Sequence, residues 1–319
     1  MNAAIVCSKL TKRYDARPPV DAVRGVDLAV EVGECFGLLG PNGAGKTTTM
    51  EILEGLLDAT SGHVEVLGHQ WGRDDAAIRQ LIGISLQETQ LSDKLTVRET
   101  VALFRSFYPQ GLTPEEAIAR VSLDDKSTSW IKNLSGGQKQ RLAVALAIVG
   151  DPQILFLDEP TTGLDPQSRR QLWEIIHAFR KSGRTVMITT HYMDEAERLC
   201  DRVAVVDQGK VIALGSPKEL ISQLGGEHVV DFSIAGGAVI TDDELKQVAT
   251  VNSVRTDADT VSLSVSEPHL AIPSLLSLLK GRGSELSTLT TRHATLEDVF
   301  VSLTGRHLQE AGAEEKKIK

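Results

Sequence analysis

With 319 residues, 41% hydrophobic and 24% charged, the chain holds enough apolar side chains for a core in one large domain and one smaller one, which excludes a disordered chain. Its 34 Lys and Arg stand against 43 Asp and Glu, and the net charge of −9 gives no overall pull toward DNA, RNA or an anionic lipid surface. Cys7, Cys35 and Cys200 are scattered singly without a CxxC pair, so small buried thiols in a reducing cytosol are expected rather than a metal or disulfide framework. The N-terminus shows no basic stretch followed by a long apolar one. The longest uncharged apolar run, LAVALAIVG at 142–150, falls well short of the ~20 residues that cross a bilayer. Any membrane role must then come from another chain.

Residues 1 to 35 read as antiparallel strands, most clearly where Val26, Leu28, Val30 and Val32 alternate with Asp27, Ala29 and Glu31. The short apolar strand FGLLG leads into a glycine-rich loop and then a helix, KTTTMEILEGLL, with Met50, Leu53, Leu56 and Leu57 on one expected face. Residues 88 to 133 change character. Two capping boxes, Thr96 to Glu99 and Thr113 to Glu116, the second with Pro114 at the first helical position, predict an inserted helical arm. ILFLD at 154–158 and TVMITT at 185–190 are dense, non-alternating runs of the kind found in a parallel sheet covered on both faces, and a helix lies between them. RVAVVDQGKVIALG reads as a hairpin turning at Gln208 and Gly209. From about residue 225 the pattern resets to a small α+β appendage that ends in a helix with Leu296, Val299, Phe300 and Leu303 behind a Thr295 to Asp298 capping box; LGGE at 224–227 is the expected linker.

The loop GPNGAGKT, residues 40–47, fits the phosphate-binding pattern G-x-x-x-x-G-K-[ST] between a strand and a helix. Gly40, Gly43 and Gly45, with Asn42 and Ala44 among them, let backbone N–H groups wrap phosphate oxygens at a helix N-terminus. Lys46 would neutralise the β and γ oxygens, and Thr47, next to Thr48, would offer its hydroxyl to Mg²⁺. At the end of ILFLD, Asp158 would hold the metal and Glu159 would polarise the water that attacks the γ-phosphate. Many P-loop enzymes share these parts.

A second cradle narrows the choice. LSGGQKQR, residues 134–141, puts Ser135 at the start of a helix whose first N–H groups, those of Gly136, Gly137 and Gln138, form a free positive end. LSGGQ resembles the signature of the ATP-binding cassette (ABC) family. Gln87 in SLQET resembles its Q-loop, GLDP with Asp165 its D-loop, and His191 after MITT its switch histidine, all in the family's order over residues 5 to 220. The resemblance implies that Gln87 senses Mg²⁺ and the attacking water, that His191 contacts the γ-phosphate, and that the signature helix caps ATP held by a second copy of the chain. Tyr14 matches the aromatic residue that stacks on adenine, although ordinary strand packing would also explain it.

The implied fold is α/β: a P-loop ABC nucleotide-binding domain at 1–224, with a RecA-like parallel core, an antiparallel β subdomain and a helical subdomain at about 88–150. A C-terminal α+β domain at 225–319 completes it. LTVRETVALF after the Q-loop and the tail ATLEDVFVSLTGR resemble the ATPase subunits of bacterial daunorubicin and doxorubicin resistance exporters, whose permease is a separate polypeptide. The expected function is ATP hydrolysis that drives export through a polytopic membrane permease, with ATP and Mg²⁺ as cofactors, a homodimer as working form, and a location on the cytoplasmic face of the membrane. The segment from Leu95 to Tyr108 is the expected permease contact, unless its apolar residues pack the arm's own core. An importer is disfavoured by the tail alone. A soluble cassette ATPase acting on nucleic acid or ribosomes is the alternative; such proteins usually carry two cassettes or a long heptad insertion, which this sequence lacks.

Overall fold

The computed structural model describes residues 3–86, 91–235, 240–257 and 260–306, and the chain divides between Leu214 and Gly215 into two compact units. In the first, β1 (Ala3–Tyr14) pairs antiparallel with β2 (Val20–Glu31). Val26, Leu28 and Val30 of β2 are buried as their alternation predicts, whereas Val32 is 47% exposed because the strand stops at Glu31 and turns at Gly33. β3 (Cys35–Leu39) is buried throughout and leads through the glycine loop into α1 (Lys46–Leu53). That helix is shorter than its apolar spacing predicts. Gly55 adopts φ +71°, where an added Cβ would meet the Trp71 ring at 2.6 Å, and the chain turns away so that Leu56 is left 56% exposed.

β4 (Ser61–Val66) completes the small antiparallel sheet on the other side of β1. After α2 (Asp75–Leu81) and β5 (Ile82–Ser85), the helical arm consists of α3 (Val97–Arg105), α4 (Pro114–Arg120) and α5 (Gly136–Ile148). Both expected capping boxes form, with Thr96 N–H donating to Glu99 and Thr113 N–H to Glu116, each at 2.8 Å. β6 (Ile154–Asp158), α6 (Pro166–Lys181), β7 (Thr185–Thr190), α7 (Met193–Leu199), β8 (Arg202–Asp207) and β9 (Lys210–Gly215) follow. The main sheet runs β5-β6-β7-β3-β8-β9, with β5, β6, β7, β3 and β8 parallel. Every residue of β3, β6 and β7 is buried, which is why their sequences do not alternate.

The second unit starts with α8 (Pro217–Ser222), ahead of the expected linker, because Leu220 is buried and the helix packs with the last helix of the chain. β10 (His228–Ile234), α9 (Asp242–Leu245), β11 (Val251–Asp257), β12 (Thr260–Val265), α10 (Pro268–Gly281), β13 (Leu286–His293) and α11 (Leu296–Thr304) follow. The sheet order β11-β12-β10-β13, antiparallel throughout, makes this a split β-α-β arrangement. Its core gathers Val230, Phe232, Leu263, Leu275 and Leu279. Arg292 joins Asp231 at 2.9 Å to Asp298 at 2.7 Å, and Asp298 accepts the Thr295 N–H at 2.8 Å at the start of α11. Leu296, Val299 and Phe300 are buried as expected, but Leu303 is 51% exposed.

Candidate active site

The parallel order β6-β7-β3 brings three strand ends side by side. Residues 40–47 leave β3, Asp158 ends β6 and His191 follows β7, so one sheet edge carries loop, carboxylates and imidazole. Two glycines of the loop are required by packing. A Cβ on Gly40 would lie 2.1 Å from the Val206 carbonyl oxygen, and one on Gly45, at φ +97°, 2.3 Å from that of Ala22. The turn at Gln208 and Gly209 buttresses the loop from behind: the Gly209 N–H donates to the Ala44 carbonyl, and the Gly209 carbonyl accepts from the Arg24 N–H. Asn42 and Gly43 are exposed at the rim, as is Thr47.

Lys46 is 4% exposed, donates to the carbonyls of Gly40 at 2.8 Å and Pro41 at 3.0 Å, and lies 3.5 Å from Glu159. Burial pushes its ammonium below the usual lysine range, against the pull of Glu159 and Asp158. The Thr47 hydroxyl donates at 3.2 Å to both oxygens of Asp158. Glu159 sits at φ +44°, a left-handed conformation rare for a glutamate, fixed by its N–H bond to the Thr189 hydroxyl at 2.9 Å. Its carboxylate lies 3.2 Å from His191 Nδ1 and accepts from the Thr162 hydroxyl at 3.1 Å. Burial works to raise the Glu159 pKa, but His191 and Lys46 outweigh it and hold the carboxyl at about 2.

Thr189 is the residue that sequence reasoning missed. Its hydroxyl bonds both Asp158 and the Glu159 N–H, so one buried side chain holds the Asp158 carboxylate and the backbone from which Glu159 projects. Its only mark in the sequence is a hydroxyl inside an apolar strand directly before the switch histidine.

The second cradle is built differently. Ser135 caps α5, accepting the Gln138 N–H at 3.3 Å, while the Gln138 side chain takes the Ser135 N–H at 2.9 Å. The Gln138 N–H is therefore satisfied within the chain and is not part of a free helix end, which corrects the expectation. A Cβ on Gly137 would strike the Ser168 hydroxyl at 2.3 Å, whereas one on Gly136 would meet nothing among the described residues within 4 Å. Asp165 caps α6, accepting the N–H groups of Gln167 at 2.9 Å and Ser168 at 3.0 Å. Tyr14 is 37% exposed, with its hydroxyl 3.5 Å from that of Thr48, which puts the ring at the edge of the phosphate loop rather than in a core. Arg141 binds the carbonyls of Val121 and Ser122 at 3.1 and 2.7 Å and so ties α5 to the end of α4. Gln87 lies outside the described residues.

Among the described residues no cluster of three or more His, Cys, Asp or Glu could hold a metal by itself. A Mg²⁺ that takes few protein ligands and completes its shell with phosphate oxygens and water fits the Thr47 and Asp158 pair.

A family model described as ABC transporter matches residues 23–162. The chain is 40% identical over 315 residues to the Nod factor export ATP-binding protein I of Burkholderia orbicola, covering 97% of this chain and 99% of that one. It is 36% identical to the linearmycin resistance ATP-binding protein LnrL of Bacillus subtilis, over 90% of this chain and 95% of that one. With the daunorubicin resistance ATP-binding protein DrrA3 of Streptomyces coeruleorubidus it shares 37% identity over 97% of this chain and 99% of that one. Among solved structures, cbiO1 from Clostridium perfringens, part of the transporter complex cbiONQ, superposes with a TM-score of 0.62 at 29% identity, over 70% of this chain and 92% of that one. A dimeric post-hydrolysis state of the cassette MJ0796 with ADP and Pi gives 0.61 at 26% identity, over 66% of this chain and 98% of that one.

Proposed function

The chain belongs to the ABC transporter family as an ATP-hydrolysing subunit of the exporter kind, and we propose that its site is one half of a composite site completed by a second copy. The observation that carries this reading is the contrast between the two cradles. The loop at 40–47 is assembled with its carboxylates and histidine, while Gly136, at the other cradle, faces space that no atom of the described residues fills within 4 Å of an added Cβ. A head-to-tail dimer would lay that helix end on the γ-phosphate held by the partner. The similarity to a cassette that forms a dimer with ADP and Pi supports this arrangement.

In the loaded site Lys46 turns from Glu159 to the phosphate oxygens. A carboxylate held at about 2 is a weak base, and losing the ammonium removes one of the charges that depress it. Glu159 then orients and polarises the attacking water, His191 contacts the γ-phosphate, and Tyr14 stacks on adenine. When bound by Thr47 and Asp158, Mg²⁺ would neutralise charge on the β and γ oxygens.

The permease would dock on the helical arm. α3 and the turn after it divide their residues: Val97 and Val101 are buried in the arm, while Leu103 and, past the helix end, Phe107 are 47% and 63% exposed. Beside them a groove of about 310 Å³ is lined by Leu56, Ile84, Phe104, Tyr108 and Leu146. Closure of the dimer on ATP and its opening after hydrolysis would move the arms and the membrane helices docked on them. No helix of the described residues is long and apolar enough to cross a membrane, so the subunit would be held at the cytoplasmic face through its permease. Purification of the native complex in detergent, with mass spectrometry of what accompanies the chain, is expected to recover a polytopic membrane protein; recovery of ribosomes or DNA overturns the exporter reading.

A further inference from the structure

At the floor of the docking groove lies a carboxyl that the hydrolysis machinery does not use. Glu54 lines the groove, is 2% exposed, and among the described residues its Oε1 has no hydrogen-bond partner. A buried polar atom of this kind is expensive to leave unpaired. Arg79, which also lines the groove, is taken up elsewhere: it pairs with Asp75 at 3.6 Å and lies over the Trp71 ring at 5.9 Å. The other lining residues that give the groove its shape are apolar or aromatic and offer Glu54 no cation.

We propose that the segment of the membrane subunit that docks in this groove carries a lysine or arginine whose charged nitrogen reaches the Glu54 carboxyl. The inference rests on the docking reading above and adds the chemistry of the occupant. Two features select a cation over a neutral donor. Glu54 follows the last residue of α1, at the negative end of that helix. Glu51 and Asp158 add negative charge within electrostatic range of it. Burial, with those two carboxylates, pushes the Glu54 acid up to about 8, and a docked cation would pull it down again and form a buried pair. The apolar walls would supply contact area and Glu54 the register, so a segment shifted by one helical turn would leave its charge unpaired.

The test uses the full chain, affinity-tagged and purified in mild detergent with its membrane subunit, and imaged by electron cryomicroscopy. A lysine or arginine in contact with Glu54 is the expected result; an apolar or acidic neighbour overturns the proposal. In parallel, Glu54→Gln keeps the side-chain shape and is expected to leave the basal ATPase of the isolated chain unchanged while cutting the retained membrane subunit at least about tenfold. Retention at the wild-type level counts against the pair, and if the variant loses basal activity as well, the image decides. Leu56→Asp separates the two readings. Loss of the membrane subunit from Leu56→Asp but not from Glu54→Gln keeps the groove and removes the cation; full retention by both removes the groove, and the proposal with it.

Discussion

The phosphate loop and the signature helix end proposed to face a second copy use the same device, a helix N-terminus opened by glycine, and differ in what surrounds it. Behind residues 40–47 stand the Gly209 turn, the Val206 carbonyl and the carboxylates of Asp158 and Glu159, so the loop is held from within its own chain. At residues 135–138 the helix end is capped by Ser135, packed on Ser168 at Gly137, and open at Gly136. One cradle is finished and the other is a surface. Glycine thus answers to a neighbouring backbone in one place and to empty space in another.

The largest effect that bears on this contrast is expected from Glu159→Gln. ATP binding should persist, hydrolysis should fall by about 10³-fold, and the chain should accumulate as a closed dimer. Phosphate release and gel filtration with ATP and Mg²⁺ check it; a variant that stays monomeric at high concentration and in the presence of permease breaks the composite site. Next comes Gly136→Glu, which this chain has room to accept. Its isolated subunit should bind ATP as the wild type does while hydrolysis drops by about 10²-fold. Mixing it with Glu159→Gln should restore activity, because a mixed dimer holds one intact pair of cradles; absence of rescue assigns Gly136 to its own chain.

Thr189→Val tests the finished cradle alone. Losing the hydroxyl that sets Asp158 and Glu159 should weaken Mg²⁺-dependent nucleotide binding by roughly 10- to 100-fold, measured by titration, while the signature end is untouched. The smallest effect is on stability against pH. The folded pKa of Glu159 is depressed from 4.5 to about 2, so the stabilisation it confers is complete above the unfolded value and is lost as pH falls through the folded one. That stabilisation should be on the order of 2 to 3 kcal/mol, less whatever solvent screens. Denaturation between pH 5 and 2 should show it in the wild type and a flatter profile in Glu159→Gln.

The phosphate loop, the carboxylate pair and the capping boxes were legible because each rests on short-range chemistry: a turn that needs glycine, or a side chain bonded three residues away. The buried strands were legible from runs such as ILFLD. What escaped were contacts made across sequence distance. Nothing local says that Thr189 will meet Asp158, that Arg141 will close the end of α4, or that Trp71 will lie against Gly55 and end α1 early. Leu56 and Leu303 were misassigned for a related reason: helical spacing continues in the sequence past the point where the helix turns away or its covering layer ends. Asp165, expected as a nucleotide contact, caps α6 here, its Oδ1 accepting two N–H groups and its Oδ2 the Ser168 hydroxyl.

The turn at Gln208 and Gly209 has a use as a reporter. Its backbone hydrogen bonds join β2 and the phosphate loop through the β8 to β9 connection, with Arg24 N–H donating to the Gly209 carbonyl and Gly209 N–H to that of Ala44. Local opening of the loop must break the bond from Gly209 N–H to Ala44, so hydrogen exchange at the Gly209 amide measures how often the loop opens. Slowing of that exchange by nucleotide would read occupancy from the back of the loop, at a position no phosphate touches. Exchange at Gly136 should respond only when a second subunit arrives, so the two amides together would time loading and closure as separate events.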